Sequence, residues 1–146
     1  MLLERAFTLI ETLLVLSIFT VLLLLTAIHI QPIIEQKKVD HFFEQLEEDI
    51  LFAQQYAMVN SHSMILYYGP AQRDYRIVKS GLKSEEVIKR ELHQNMEIIP
   101  LTLSNHIIFN SAGNINSSGA LQVKYKKRTF KVTFYLGRGR FRVEEL

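Results

Sequence analysis

The stretch Phe7-Thr8-Leu9-Ile10-Glu11-Thr12-Leu13-Leu14-Val15-Leu16, continuing without a further charge to Ile34, decides how this chain is read. From Thr12 to Ile34 lie 23 uncharged residues, mostly Leu, Ile, Val and Phe. At about 1.5 Å of rise per residue they make a helix about 35 Å long, enough to cross a hydrocarbon core. A secretory signal peptide has a shorter apolar run, a basic leader and a small-x-small cleavage site. Thr26-Ala27-Ile28-His29-Ile30 offers no such site. A core helix apolar all round is excluded as well, because a chain of 146 residues cannot wrap one. Residues 7–34 are therefore expected to form a transmembrane helix.

Outward from this segment the composition changes. Of 32 charged side chains, 29 fall in the 112 residues after Ile34. A hydrophobic rod joined to an ordinary globular domain, residues 35–146, is the expected organisation, and it argues against a plain cytosolic enzyme. The absence of cysteine excludes a disulfide framework, a thiolate zinc site and cysteine catalysis. A domain of this size still buries a workable core without such staples.

Glu11 is the anomaly of the apolar run. A carboxylate one turn inside a membrane helix costs a few kcal/mol and calls for a partner. A cut between Ala6 and Phe7 supplies one, because it creates an α-amino group four residues before Glu11. Two such helices, side by side and offset along their axes, then pair the amine of one with the carboxylate of the other.

The run from Ala6 through Leu16 resembles the class III signal of type IV pilins and pseudopilins. That resemblance implies a leader, residues 1–6, removed by a prepilin peptidase that also methylates the new N-terminal Phe7. It gives Glu11 a role in assembling helices into a filament. Ala6 stands where the family usually has Gly. Charge flanking the helix would by itself orient the chain the other way, since Lys37 and Lys38 follow the apolar run and Arg5 alone precedes it. The processing motif instead places residues 35–146 outside the cell, on a single-pass cell-membrane anchor, and at the cell surface once in a filament.

Near the end of the apolar run, Pro32 predicts a kink or local break, since it lacks an N–H and disfavours helix before it. Helical periodicity then resumes with Val39, Phe42, Phe43, Leu46, Ile50, Ala53 and Ala57 on one face. Asp40, Glu44, Glu47 and Glu48 lie opposite, and residues 35–59 carry net −4. After residue 61 the period drops to two. Met64 to Tyr68 and Tyr75 to Val78 flank a Gly69-Pro70 turn and predict a hairpin. Val87-Ile88, Met96 to Ile99 and His106 to Phe109 are further strand candidates. Leu121 to Lys126, Thr129 to Leu136 and Arg140 to Glu144 complete the set. The expected fold class is α+β: a long N-terminal helix, transmembrane and then amphipathic, packed on a C-terminal antiparallel β-sheet.

The Ile108-Phe109-Asn110 strand end, the Gly/Asn/Ser loop and the turn Tyr135-Leu136-Gly137-Arg138-Gly139-Arg140 resemble minor pseudopilins of the GspH/FimT kind. Among these the likeness is to competence pseudopilins of Gram-positive bacteria. It implies a pilin-like fold and a subunit of a transformation pilus involved in DNA binding and uptake. The implied partners are other pseudopilins, a major pilin, the prepilin peptidase and DNA. A minor pseudopilin of a type II secretion system, and a membrane-anchored DNA receptor that never assembles, are the alternatives.

No chemistry of catalysis is legible. The histidines at 29, 41, 62, 93 and 106 lack metal-ligand spacing, and no P-loop, G-x-S-x-G or paired-carboxylate signature occurs. No catalytic residue, metal or cofactor is therefore expected. One charge cluster stands out. From Leu121 onward eight basic residues face two acids, for net +6. Alternation turns Phe130, Val132, Phe134 and Leu136 inward with Phe141 and Val143, and leaves Lys131, Arg140 and Arg142 outside. With Lys124, Lys126 and Arg138 these are the candidate DNA contacts, since phosphate contacts need cations without sequence readout. Two other readings stay open: a solvated edge that blunts strand pairing, or a surface for the acidic helix face of a neighbour.

Overall fold

The computed structural model describes residues 8–81, 84–137 and 139–146, the side chains of residues 25–32 excepted. One helix, α1 (Leu9–Asn60), is followed by eight strands: β1 (Met64–Tyr67), β2 (Asp74–Lys79), β3 (Glu85–Glu91), β4 (Met96–Pro100), β5 (His106–Phe109), β6 (Gly119–Tyr125), β7 (Arg128–Phe134) and β8 (Phe141–Glu145). This is the α+β order expected from the change of period. The chain divides into two compact units, Met1–Phe43 and Glu44–Leu146, and all the strands lie in the second.

In the first unit α1 runs through position 32 without a break. A proline there forfeits one backbone hydrogen bond, but its fixed φ is itself helical, so the flanking turns carry the helix through. The membrane-spanning segment expected over 7–34 needs correction. Among the described residues no helix is long and apolar enough to cross a membrane. The single-pass location, and the extracellular placement of residues 35–146 that followed from it, are corrected with it.

In the second unit α1 buries Leu46, Ile50, Ala53 and Ala57, the stripe set by helical spacing. Val39 and Phe42, in the first unit, are buried too. The strands form two four-stranded antiparallel sheets rather than one, ordered β3-β2-β1-β5 and β4-β6-β7-β8. Alternation fixes which face of each strand is apolar but not which strand it joins. Here β4 leaves the first sheet to pair with β6, while β5 returns to pair with β1. The buried faces come from Leu66, Ile77 and Ile107 in the first sheet and Val123, Phe130 and Val132 in the second. Ile115 bridges to both Phe109 and Gly137, tying the end of β5 to the loop between β7 and β8.

Register also corrects one inward assignment. Phe130, Val132 and Phe134 are buried as expected, but Leu136 is 67% exposed. β7 stops at Phe134, and beyond a strand the two-residue alternation no longer dictates direction. Phe141 and Val143 are only half-buried, because β8 is an edge strand with β7 as its one neighbour.

Candidate functional site

Thr8, Leu9, Ile10 and Glu11 start α1 as a Thr-x-x-Glu sequence, the pattern of a helix capping box. The Glu11 N–H lies 3.0 Å from the Thr8 carbonyl oxygen and 3.4 Å from its hydroxyl. Thr8 thus caps the helix through the backbone of residue 11, and a carboxylate at that position complements the positive end of the helix dipole. Sequence reasoning, attending to its charge, had not included this. Ala6 and Phe7 lie outside the described residues.

The helix beyond is apolar to its rim. Each of the large apolar side chains described between Leu9 and Leu24 is more than half exposed, from Ile18 at 53% to Leu9 at 80%. Its few hydroxyls turn back on the helix. Thr12 donates to the Leu9 carbonyl at 2.8 Å, Ser17 to that of Leu14 at 2.8 Å, and Thr20 to that of Leu16 at 2.7 Å. With these donors satisfied internally, the surface offers shape and apolar area to whatever covers it. Continuous apolar exposure of this kind marks an interaction surface.

The candidate basic residues divide into separate places. The register puts Lys124, Lys131 and Arg142 on the outer face of the second sheet. Acids interleave with them there: Glu97 stands opposite Lys124, Glu144 opposite Lys131, and Arg142 Nε lies 3.2 Å from Glu144 Oε1. Lys126 sits in the β6–β7 turn, its ammonium 5.7 Å from the Tyr125 ring centre. Arg140 lines a recess of about 270 Å³ with Glu47, Leu51, Gln54 and Phe141. Arg138 lies outside the described residues. One further cation, Arg128, is taken up by Glu145 at 2.6 and 2.8 Å, and these bonds hold the Glu145 carboxyl below its usual range.

The sequence reading also missed a buried polar cluster. Asp49, only 4% exposed, receives the Tyr75 hydroxyl at 2.7 Å and two Arg90 nitrogens at 3.0 Å each. Burial, with the neighbouring carboxylate, pushes the Tyr75 phenol far above its ordinary value, and the same carboxylate raises Arg90. The signal was present: Asp49 falls beside Leu46, Ile50 and Ala53 on the apolar stripe, where an acid survives only if paired.

No protein-family profile matches the chain. It is 33% identical over 142 residues to the competence protein ComGD of Bacillus subtilis (strain 168), covering 97% of this chain and 94% of that protein. Its fold is similar to that of the minor pseudopilin EpsH from the type 2 secretion system of Vibrio cholerae, with a TM-score of 0.54 at 10% identity, over 69% of this chain and 91% of the other. The long α1, the two antiparallel sheets and an identity of this extent agree: the chain has a pilin-like fold similar to that of a minor pseudopilin and belongs to the family of ComGD.

Proposed function

We propose that this pseudopilin serves DNA uptake in transformation, as one subunit of a filament built with other pseudopilins and a major pilin. The observation that carries the reading is the exposed apolar surface of α1 between Leu9 and Leu24, on a chain akin to a protein named for competence. A bundle of such helices covers that surface with its own kind. Maturation cuts between Ala6 and Phe7 and methylates the Phe7 amine, through a prepilin peptidase. Glu11 then accepts the amine of a neighbouring subunit. In the filament Lys124, Lys126, Lys131, Arg138, Arg140 and Arg142 supply cations for DNA phosphates.

The chain has no cysteine of its own, so Leu16→Cys places a single thiol on the assembly surface. Oxidative crosslinking in competent cells should join it to a pseudopilin carrying a matching thiol, and deletion of the gene should abolish transformation. Crosslinking with unchanged transformation would assign the filament to secretion. Absence of any crosslink along the exposed face would remove the assembly role of this surface.

A further inference from the structure

In the second unit three connections meet at one end of the sheets and enclose an open pocket of about 420 Å³, lined by Gln72, Arg73, Asn95, Glu97, Lys124 and Lys126 among others. Backbone hydrogen bonds brace its walls. The Leu92 N–H donates to the Arg73 carbonyl at 2.7 Å, that of Met96 to His93 at 2.8 Å, and that of Lys126 to Asn95 at 3.2 Å. Lys126 holds a φ of 54°, left-handed backbone that a lysine adopts only at an energetic cost. A two-residue turn joining Tyr125 to Arg128 calls for that φ at its first position, and the Lys126 N–H bond to Asn95 braces the turn there.

Charge singles the pocket out. Arg76 and Lys89, on the neighbouring strands, both lie within 3.5 Å of the Asp74 carboxylate. Among the described residues Arg73 and Lys124 have no salt-bridge partner. Three cations thus line a pocket whose one carboxylate is Glu97. The side-chain amides of Gln72 and Asn95 add neutral donors. A guanidinium with amides around it suits the several oxygens of a phosphate group. At about 420 Å³ the open pocket has room for a phosphate together with the group that carries it.

We propose that this pocket seats a phosphodiester of a nucleic-acid backbone, with Arg73, Lys124 and Lys126 as its cations. The assignment rests on the DNA-uptake reading above and deepens it, because it names a seat for the strand and adds Arg73, which the run of C-terminal basic residues does not contain. Contacts of this type are independent of sequence and weaken with salt through counterion release.

The test is fluorescence anisotropy of labelled DNA of random sequence with the full chain, held in a non-ionic detergent that covers its apolar helix, across a series of salt concentrations. Arg73→Gln and Lys124→Gln should each weaken binding severalfold at low salt and lower the slope of log affinity against log salt by about 1. Lys126→Asn should do the same, with a residue that tolerates the left-handed turn. Lys79→Gln, at the far end of β2, should leave affinity and slope unchanged. Inorganic phosphate at matched ionic strength should displace DNA no better than chloride. Wild-type binding that survives the three pocket variants, but falls with Lys131→Gln and Arg142→Gln, would overturn the pocket and leave the DNA reading standing. Absence of wild-type binding would overturn both. Displacement by polyglutamate as effective as by unlabelled DNA would reassign the pocket to an acidic protein neighbour, and displacement by phosphate alone would reassign it to the free anion.

Discussion

Asp49 on α1 and Arg90 on β3 form a two-point ion pair, with Nε and Nη2 of the guanidinium each 3.0 Å from a carboxylate oxygen, across 41 residues of sequence. The pair is asymmetric: the Asp49 side chain is 5% exposed and that of Arg90 42%. Solvent therefore screens the cation while the anion is committed to its partners. Tyr75 supplies the third bond from the same direction, so helix and first sheet are joined by a polar pin within an apolar layer.

Arg90→Ala is expected to destabilise the fold by about 2–3 kcal/mol, below the range for a fully buried pair because water reaches the guanidinium. Asp49→Ala should cost about as much, since it strands the Tyr75 hydroxyl and opens a small void. Urea unfolding of both single variants and the double variant measures the coupling. Additive losses would show that the two residues act independently.

Tyr75→Phe should lower stability near neutral pH by about 1–2 kcal/mol through loss of one bond to a charged acceptor. Its alkaline behaviour is more diagnostic. The fold raises the phenol above its ordinary value of 10.0, so its contribution is intact below about pH 10 and is lost as pH climbs from there towards the folded value. The variant should show an alkaline stability limb shallower by about 1.4 kcal/mol per pH unit, the share of one proton. Tyr68, also raised by burial, retains its own contribution in both proteins. Stability followed from pH 9 to 12 checks this.

Two glycines in the β7–β8 loop separate space from backbone strain. Gly139 has a φ of 60°, and a Cβ there would run into Gln54 Nε2 while lying 3.2 Å from the Phe109 ring and 3.3 Å from Ile115. Gly137 has a φ of 101° with nothing within 4 Å. Gly139→Ala should therefore cost about 2–4 kcal/mol, strain and overpacking together, and Gly137→Ala about 1–2 from strain alone. Thermal unfolding ranks them.

Glu11→Gln isolates charge at the start of α1. Glutamine keeps the capping-box position open to the Thr8 backbone, so the helix should begin where it does now. In the proposed filament the neighbouring Phe7 amine loses its counter-charge within an apolar bundle, where an unpaired ion is costly. Crosslinking of Leu16→Cys should fall well below that of the protein with Glu11 intact, with normal cleavage after Ala6 by mass spectrometry. Unchanged crosslinking would show that assembly proceeds without that ion pair.

Much of the architecture is legible in the residues themselves. Helical spacing from Leu46 to Ala57 gives the buried stripe, and alternation gives Phe130, Val132 and Phe134 their direction, because both are local consequences of backbone geometry. The division into two sheets is not local. Nothing in Met96 to Ile99 says that β4 joins β6 rather than its neighbour in sequence. The same limit applies to the basic residues. Lys124, Lys131 and Arg142 share a face as alternation implies, but the acids opposite them, and Arg73 beside Lys124, enter only through long-range pairing.

The exchange of β4 and β5 between sheets also sets an order of events for a chain made from its N-terminus. β1, β2 and β3 find one another as soon as they exist. β4 follows with no sheet to join, since its partner β6 begins at Gly119 and β5 is made in between. For that interval Met96, Ile98 and Ile99 present an unpaired strand with apolar side chains, the condition under which nascent chains mispair or associate. The first sheet closes with Phe109, and the second waits for the last residues of the protein. A nascent chain that has emerged from the ribosome just past residue 100 is at its most aggregation-prone length, and one that has emerged past residue 125 is not.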